Sequence, residues 1–180
     1  MTLQTVNRVN GGYRHEKTEQ SGWELWLAEH APKLLLFARQ QTRSEADAQD
    51  VVQDAVVECW HQQTNGNPPA AGLVFATIRR RAIDLGRKSD RRAGRESAAS
   101  GEFAGVWFDG GVEERERSRL IQIAMSQLPD KYREVVTLKV WGELTFAEIA
   151  EMLAIPANTV ASRYRYGLAE LRKSTNGIFQ

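Results

Sequence analysis

The sequence predicts an all-α protein made of two small helical domains joined by a flexible linker. Three observations carry this reading. Apolar residues recur three and four positions apart through most of the chain, which is the spacing of one helix face, and no stretch alternates as a strand would. Helix-start signatures stand in front of several of these stretches. Between Lys88 and Ser118 the periodicity fades, and six of the 14 glycines fall between Gly86 and Gly111.

Residues 1–21 are polar and unpatterned and read as a mobile tail. Ser21-x-x-Glu24 has the form of a capping box, in which Ser and Glu satisfy free amides at a helix start. Trp26, Leu27, His30, Leu34, Phe37 and Ala38 follow at helical spacing, and Pro32 is expected to kink or divide that helix. Ser44 is the next N-cap, with Asp47 three residues on. Ala48, Val51, Val52, Ala55, Val56 and Cys59 then form one apolar face. Residues 61–72, HQQTNGNPPAAG, collect turn formers and read as a loop. A helix from about Leu73 to Arg87 buries Val74, Ile78, Ala82 and Leu85. These elements make up a first domain, 22–95.

The linker, 96–118, starts basic, has a small-residue middle and ends in Glu113, Glu114 and Glu116. Helical pattern returns at Leu120, Ile121, Ala124 and Leu128 and opens a second domain, 119–175, with a short tail at 176–180. Pro129 separates this helix from one over roughly Asp130 to Trp141. Thr145-x-x-Glu148 caps a short helix with Phe146, Ile149, Ala150 and Leu153 on one face. Ala154-Ile155-Pro156 makes a turn. A last helix runs to about Lys173, with Val160, Tyr164, Leu168 and Leu171 expected to face inward. A short capped helix, a tight turn and a longer helix form a helix-turn-helix.

Composition narrows the function classes. The 180 residues carry 24 basic and 23 acidic side chains, a formal net charge of +1, with 42% hydrophobic and 26% charged residues. These values fit a globular chain. No run approaches the ~18–20 apolar residues of a membrane span, and the N-terminus has no apolar signal core, so the expected compartment is the cytoplasm, without membrane insertion. Cys59 is the single cysteine, which leaves no intrachain disulfide. Charge is segregated along the chain. Glu45 to Glu58 holds five acids and no Lys or Arg, Arg79 to Arg95 holds eight basic residues and two Asp, and Thr159 to Lys173 holds four basic residues and one Glu. One acidic segment and two basic ones suit a basic partner and acidic partners respectively.

In the helix-turn-helix, the first turns of the second helix enter the major groove. Asn158, Thr159, Ser162, Arg165 and Tyr166 fall opposite the expected core stripe, with Arg163 flanking. Arg reads guanine bidentately and Asn reads adenine; Arg172 and Lys173 lie where the DNA backbone would pass. Upstream, Asp47, Asp50, Asp54 and Glu58 recur at i, i+3, i+7 and i+11. Like charges at that spacing cost a helix roughly 0.2–0.5 kcal/mol per pair, and nothing basic in the segment offsets them, so the stripe reads as a docking surface. The Arg-rich helix suits phosphate contacts. Phe75 and the polar loop before it are candidates for contacts with bases in single strands. The histidines are scattered, Cys59 lies on an apolar stripe, and no metal spacing, nucleophile elbow or phosphate loop occurs. No enzyme and no cofactor is expected.

Two stretches then carry a resemblance. APKLLLFARQQTRSEADAQDVVQDAVVECW followed by RRRAIDLGRK, and LPDKYREVVTLKVWGELTFAEIAEMLAIPANTVASRYRYGLAELRK, together resemble a bacterial RNA polymerase sigma factor of the extracytoplasmic-function (ECF) group, over about 22–95 and 119–174. The resemblance implies that Asp47, Asp50, Gln53 and Asp54 dock on the clamp coiled coil of core RNA polymerase. It implies that Asn65, Asn67, Arg79, Arg80, Arg81, Arg87 and Lys88 meet the −10 element as it melts. It places Asn158, Thr159, Ser162, Arg163, Arg165, Tyr166 and Lys173 on the duplex −35 element. Promoter DNA, duplex and melted, and core polymerase are the implied partners, with an anti-sigma factor as a further partner common in the family. The chain departs from the family pattern at Leu73, where Trp is frequent, and at Arg80, where Asn is frequent. The competing reading is a two-domain helix-turn-helix regulator that binds duplex DNA without polymerase.

Overall fold

The computed structural model describes the backbone of residues 12–63, 67–93 and 112–176, and side chains within 22–63, 67–91 and 118–175. Seven helices occur among these residues, and no strand: α1 Gly12–Gln41, α2 Glu45–Gln62, α3 Ala71–Ala93, α4 Val112–Ser126, α5 Asp130–Val140, α6 Phe146–Leu153 and α7 Ala157–Asn176. Helices α1, α2 and α3 pack on one another. Helix α5 packs on α7 and α6, and α4 lies along α7.

Local chemistry explains the helix starts. Ser44 caps α2 by accepting the Asp47 amide at 3.0 Å. At α6 the capping box is complete: Thr145 Oγ1 accepts the Glu148 amide at 3.2 Å, and Glu148 accepts the Thr145 amide at 2.7 Å. These bonds hold the Glu148 carboxyl below its usual range, the Thr145 hydroxyl contributing most. Pro129 stands at the α5 N-cap. The turn between α5 and α6 closes with Trp141 and Gly142 both donating to the Thr137 carbonyl at 3.0 Å. A Cβ on Gly142 would lie 2.6 Å from the Leu138 carbonyl oxygen, so that turn requires glycine.

The first three helices bury the expected stripes. Leu34, Phe37, Ala38, Ala48, Val51, Ala55, Cys59, Val74, Ile78 and Ala82 are all buried. His30 is half-buried; its ring stacks on Trp26 at 4.3 Å and its Nδ1 bonds the Trp26 carbonyl at 2.8 Å. Burial also raises the Cys59 thiol above its ordinary pKa.

Several expectations are corrected. Helix α1 begins at Gly12 rather than after Ser21, so Ser21 is no N-cap and the tail is shorter. Pro32 lies inside α1 without ending it. Helix α3 extends past Arg87 to Ala93. Helix α4 begins at Val112, inside the expected linker; residues 94–111, the rest of that linker, lie outside the described residues. Ile121 is exposed, and Met125 is buried in its place beside Ala124 and Leu128. Phe75 is 1% exposed and meets Phe37 edge-on at 5.4 Å. Full burial of such a ring is worth about 1.5–3 kcal/mol, and Phe75 is therefore core and presents no face to a base. Leu168 is 40% exposed, and Gly167 takes the inward position between Tyr164 and Leu171.

The two halves are not held apart. One core runs from Leu34, Phe37 and Val74 through Leu138, Leu144, Ile149, Leu153 and Val160. A second cluster joins Leu36 of α1 to Met125, Leu128 and Val136. Each half alone is near the size at which a core barely suffices, and a shared core lessens that deficit.

Candidate functional site

The acidic stripe of α2 divides into two parts. Arg81 of α3 donates to Asp54 and to Glu58, both at 2.7 Å, and Arg80 also pairs with Glu58. Glu45 is held by Arg39 at 2.8 Å. Asp47 and Asp50 form no ion pair among the described residues, and Asp50 and Gln53 are exposed. Advancing 100° per residue, Asp50, Gln53, Val57 and Trp60 share one outward arc, opposite Ala48, Val51, Ala55 and Cys59. Val57 is 48% and Trp60 44% exposed, and the Trp60 ring leans on Trp23 at 4.4 Å. The face is thus acidic at its N-terminal end and apolar at its C-terminal end. The sequence reading did not single out Val57 or Trp60. Their signal is an apolar pair on the polar arc.

Burial alone would raise the Glu58 carboxyl. The hydrogen bond from Arg81 and the charges of Arg80 and Arg81 outweigh it, and the group titrates below its usual range. Its folded value lies under the unfolded one, so its contribution to stability is complete above about pH 4.3 and is lost as pH falls through the folded value. Glu45, lowered chiefly by the Arg39 hydrogen bond, acts with the same sign. Thermal melts from about pH 6 to 3 are expected to show Tm falling below the ordinary glutamate range, and falling less in Glu58→Gln. Equal slopes in the two proteins would remove Glu58 from the acid response.

The arginines of α3 are more engaged than their sequence suggests. Arg79 pairs with Glu134 of α5 at 2.8 Å, Arg80 and Arg81 are held by α2, and Arg87 sits 3.8 Å from Asp84. Lys88 has no ion pair among the described residues and lines the same cleft as Asp47 and Ile83. The structure therefore brings one docking candidate and one −10 candidate together. Asn67 is exposed, and Asn65 lies outside the described residues. Glu58 and Glu134 were not expected to hold these arginines. The opposite charge of the 45–58 and 79–81 segments was the available signal for Glu58, whereas Glu134 comes from a distant helix.

On α7, Asn158, Arg165 and Tyr166 are exposed, and Thr159, Ser162 and Arg163 are partly exposed. All lie on the turns that follow the α6–α7 corner, where Ala154 takes a left-handed conformation, φ 52°. The Arg165 guanidinium lies over the Tyr166 ring at 5.4 Å. Arg163 makes no ion pair among the described residues, whereas Lys173, further along, pairs with Glu170 at 2.7 Å.

Comparison with known proteins matches this layout. The family model for Sigma-70 region 2 matches residues 26–92, and that for Sigma-70 region 4 matches residues 118–171. The ECF RNA polymerase sigma factor SigK of Mycobacterium ulcerans is 32% identical over 139 residues, 72% of this chain and 73% of its own. SigL of Mycobacterium tuberculosis is 31% identical over 150 residues, 80% and 83% of the two chains. The chain belongs to the ECF sigma factor family. Among solved structures, the sigma factor RpoE in complex with the anti-sigma factor NepR, from Bartonella quintana, superposes with a TM-score of 0.68 at 18% identity, covering 86% of this chain and 96% of that one. CnrH in complex with the cytosolic domain of CnrY gives 0.57 at 23% identity, covering 92% and 94%. The region 2 match thus runs from within α1 to within α3, and the region 4 match from within α4 to within α7. This sigma factor binds core RNA polymerase and promoter DNA and directs transcription initiation. No described helix is long and apolar enough to cross a membrane.

Proposed function

We propose that the outward face of α2 is where this sigma factor docks on core polymerase, through Asp50 and Gln53 with Val57 and Trp60 beside them. One observation carries this. Asp50 is an exposed acid without an ion pair among the described residues, on a helix where Glu45, Asp54 and Glu58 are each held by arginine. Asp47 lies at the rim of the same face, and Asp54 contributes once Arg81 is redirected. The connection between α2 and α3, 63–70, with Asn65 and Asn67, and the Arg79–Lys88 part of α3 meet the melted −10 strand; the 61–72 loop expected from sequence is shortened because α2 runs to Gln62 and α3 starts at Ala71. Arg80 and Arg81 act there as a pair tethered by Glu58. Helix α7 reads the −35 duplex through Asn158, Thr159, Ser162, Arg163, Arg165 and Tyr166. The domain division at 22–95 and 119–175 is the functional division between these tasks.

The chain is a specificity subunit of the cytoplasm, and the chemistry of RNA synthesis belongs to the polymerase. An anti-sigma protein is proposed as its regulator, as the partners named for RpoE and CnrH suggest.

Reconstitution with core polymerase on a mapped promoter tests the whole reading. The chain should need polymerase for promoter-specific binding. A footprint made by the chain alone on a palindrome would favour the regulator reading instead. Within that assay, Arg163→Ala should weaken −35 recognition by about 1–3 kcal/mol, the worth of a bidentate base contact. Lys173→Ala should weaken binding to all sequences alike and lower the salt slope by about one. Equal losses on every sequence in both variants would undo the division into base reader and phosphate anchor.

A further inference from the structure

A row of cations and rings crosses from α5 to α7 beside the −35 face. Lys131 Nζ lies over the Tyr132 ring at 5.1 Å, and the Tyr132 and Tyr166 ring centroids are 6.3 Å apart. The Arg165 guanidinium lies over Tyr166 at 5.4 Å. Tyr166 is 52% exposed. Tyr132 is half-buried, and its amide donates to the Pro129 carbonyl at 2.8 Å in the first turn of α5. The row has a fixed end. Gly167 brings α7 so near to α5 that a Cβ there would lie 3.4 Å from Tyr132 Cβ. Tyr132 is thereby set against the α7 backbone, one residue from Tyr166.

Such a seat matters for an arginine that reads a base. An exposed tyrosine with no neighbour moves among its χ1 wells, and a guanidinium lying on it moves with it. A second ring beside it narrows that choice, because paired aromatic rings gain more than their buried area alone. Arg165 makes no ion pair among the described residues, and a ring face uses the charge of a guanidinium while leaving its N–H donors unspent. Those donors stay free for the O6 and N7 atoms of a guanine. An arginine already resting on a ring has also given up part of the rotamer freedom that binding would otherwise cost.

We infer that Tyr132 of α5 is a positioning residue for −35 recognition: it seats the Tyr166 ring, and the seated ring presents the Arg165 guanidinium to one base pair. The inference rests on the assignment of α7 to the −35 duplex. Tyr132 acts through Tyr166 and Arg165 and needs no contact with DNA of its own. It lies on a different helix from the base readers, where a search along α7 does not find it.

Holoenzyme made from the full chain and core polymerase tests this on labelled fragments of a mapped promoter, with each −35 position carrying each base pair in turn. Arg165→Ala defines the position that Arg165 reads. Discrimination there should fall about five- to 150-fold, the worth of a bidentate base contact. Tyr132→Leu should lower discrimination at that same position about two- to fivefold, the worth of an exposed contact between a cation and a ring. Every other −35 position should keep its wild-type discrimination. Tyr132→Met, flexible enough to fill the gap left by the ring, is carried alongside with the same expectation, and circular dichroism checks that both variants fold. Tyr132→Phe keeps the ring and should restore wild-type discrimination. In an Arg165→Ala background, Tyr132→Leu should cause no further loss at that position. Wild-type discrimination in Tyr132→Leu and Tyr132→Met, beside a loss in Arg165→Ala, overturns the positioning role and leaves α7 as the reader. An equal loss of affinity on every fragment also overturns it, since packing alone would then explain Tyr132. Wild-type discrimination in Arg165→Ala overturns the inference together with the place of Arg165 in −35 reading.

Discussion

Asp50→Arg is expected to weaken binding to core RNA polymerase by at least about 30-fold, about 2 kcal/mol or more, while the chain stays folded. Losing a charge pair that becomes desolvated at an interface typically costs about 2–5 kcal/mol, much of it from the charge left behind on the partner. Reversal adds repulsion to that loss. Asp50 suits this test better than Asp54. Asp54 is bonded to Arg81 at 2.7 Å, so its reversal also disturbs the network around Glu58. Asp50 has no such internal role. Its replacement by Arg removes a like-charge neighbour from Asp54, four positions on, which is worth roughly 0.2–0.5 kcal/mol to the helix. Tm should therefore hold or rise slightly while polymerase affinity falls. Fluorescence anisotropy with labelled chain and core polymerase measures the first effect, and circular dichroism the second. A folded Asp50→Arg protein with wild-type affinity would remove the α2 face from the docking surface.

The contrast between Asp50 and Asp54 shows where sequence reasoning reached and where it stopped. Helices were legible because apolar spacing and caps are local: Ser44, Pro129 and the Thr145–Glu148 box all act within four residues, and each marks a helix start in the structure. The acidic stripe was legible as a pattern for the same reason. What it lacked was its neighbour. Arg81 lies 27 positions from Asp54, and Glu134 lies 55 positions from Arg79, so charge that looks available in one dimension is paired in three. Phe75 failed similarly. Its loop-proximal place suggested a base contact, but its ring completes a core against Phe37, which comes from another helix. The sequence divides the chain into two helical domains at the 88–118 stretch, which looks like a tether. Leu36 and Val136 share a cluster all the same, since a tether limits distance and says nothing about which surfaces meet.

One register error leads to the second large effect. Four positions after Tyr164 the sequence offers Leu168, and a search for apolar residues takes it as the next inward position. The structure places Gly167 there and leaves Leu168 40% exposed. Glycine carries no hydrophobic signal, so periodicity cannot see it. Its role is close approach: a Cβ at Gly167 would lie 2.7 Å from Val136 Cγ2 and 3.4 Å from Tyr132 Cβ. Gly167→Val adds that Cβ and two methyl groups beyond it, all directed at α5. The two helices must separate, and Val136 is then displaced from its cluster with Leu36, Met125 and Leu128. Overpacking of this kind costs about 1–3 kcal/mol and occasionally more. Relief of the helix penalty of glycine returns at most about 1 kcal/mol, less for a β-branched residue. A net destabilisation of about 2 kcal/mol is expected, a fall in Tm of roughly 4–8 °C for a chain of this size. Binding to the −35 duplex should weaken as well, because α5 and α6 aim α7, while docking through α2 should persist. Leu168→Ala provides the opposite expectation, a change within about 0.5 kcal/mol, as for a surface position. Melting both variants decides the register of α7. A costly Leu168→Ala beside a tolerated Gly167→Val would turn the helix by about 100°, one residue's rotation, and with it every side chain assigned to the −35 element.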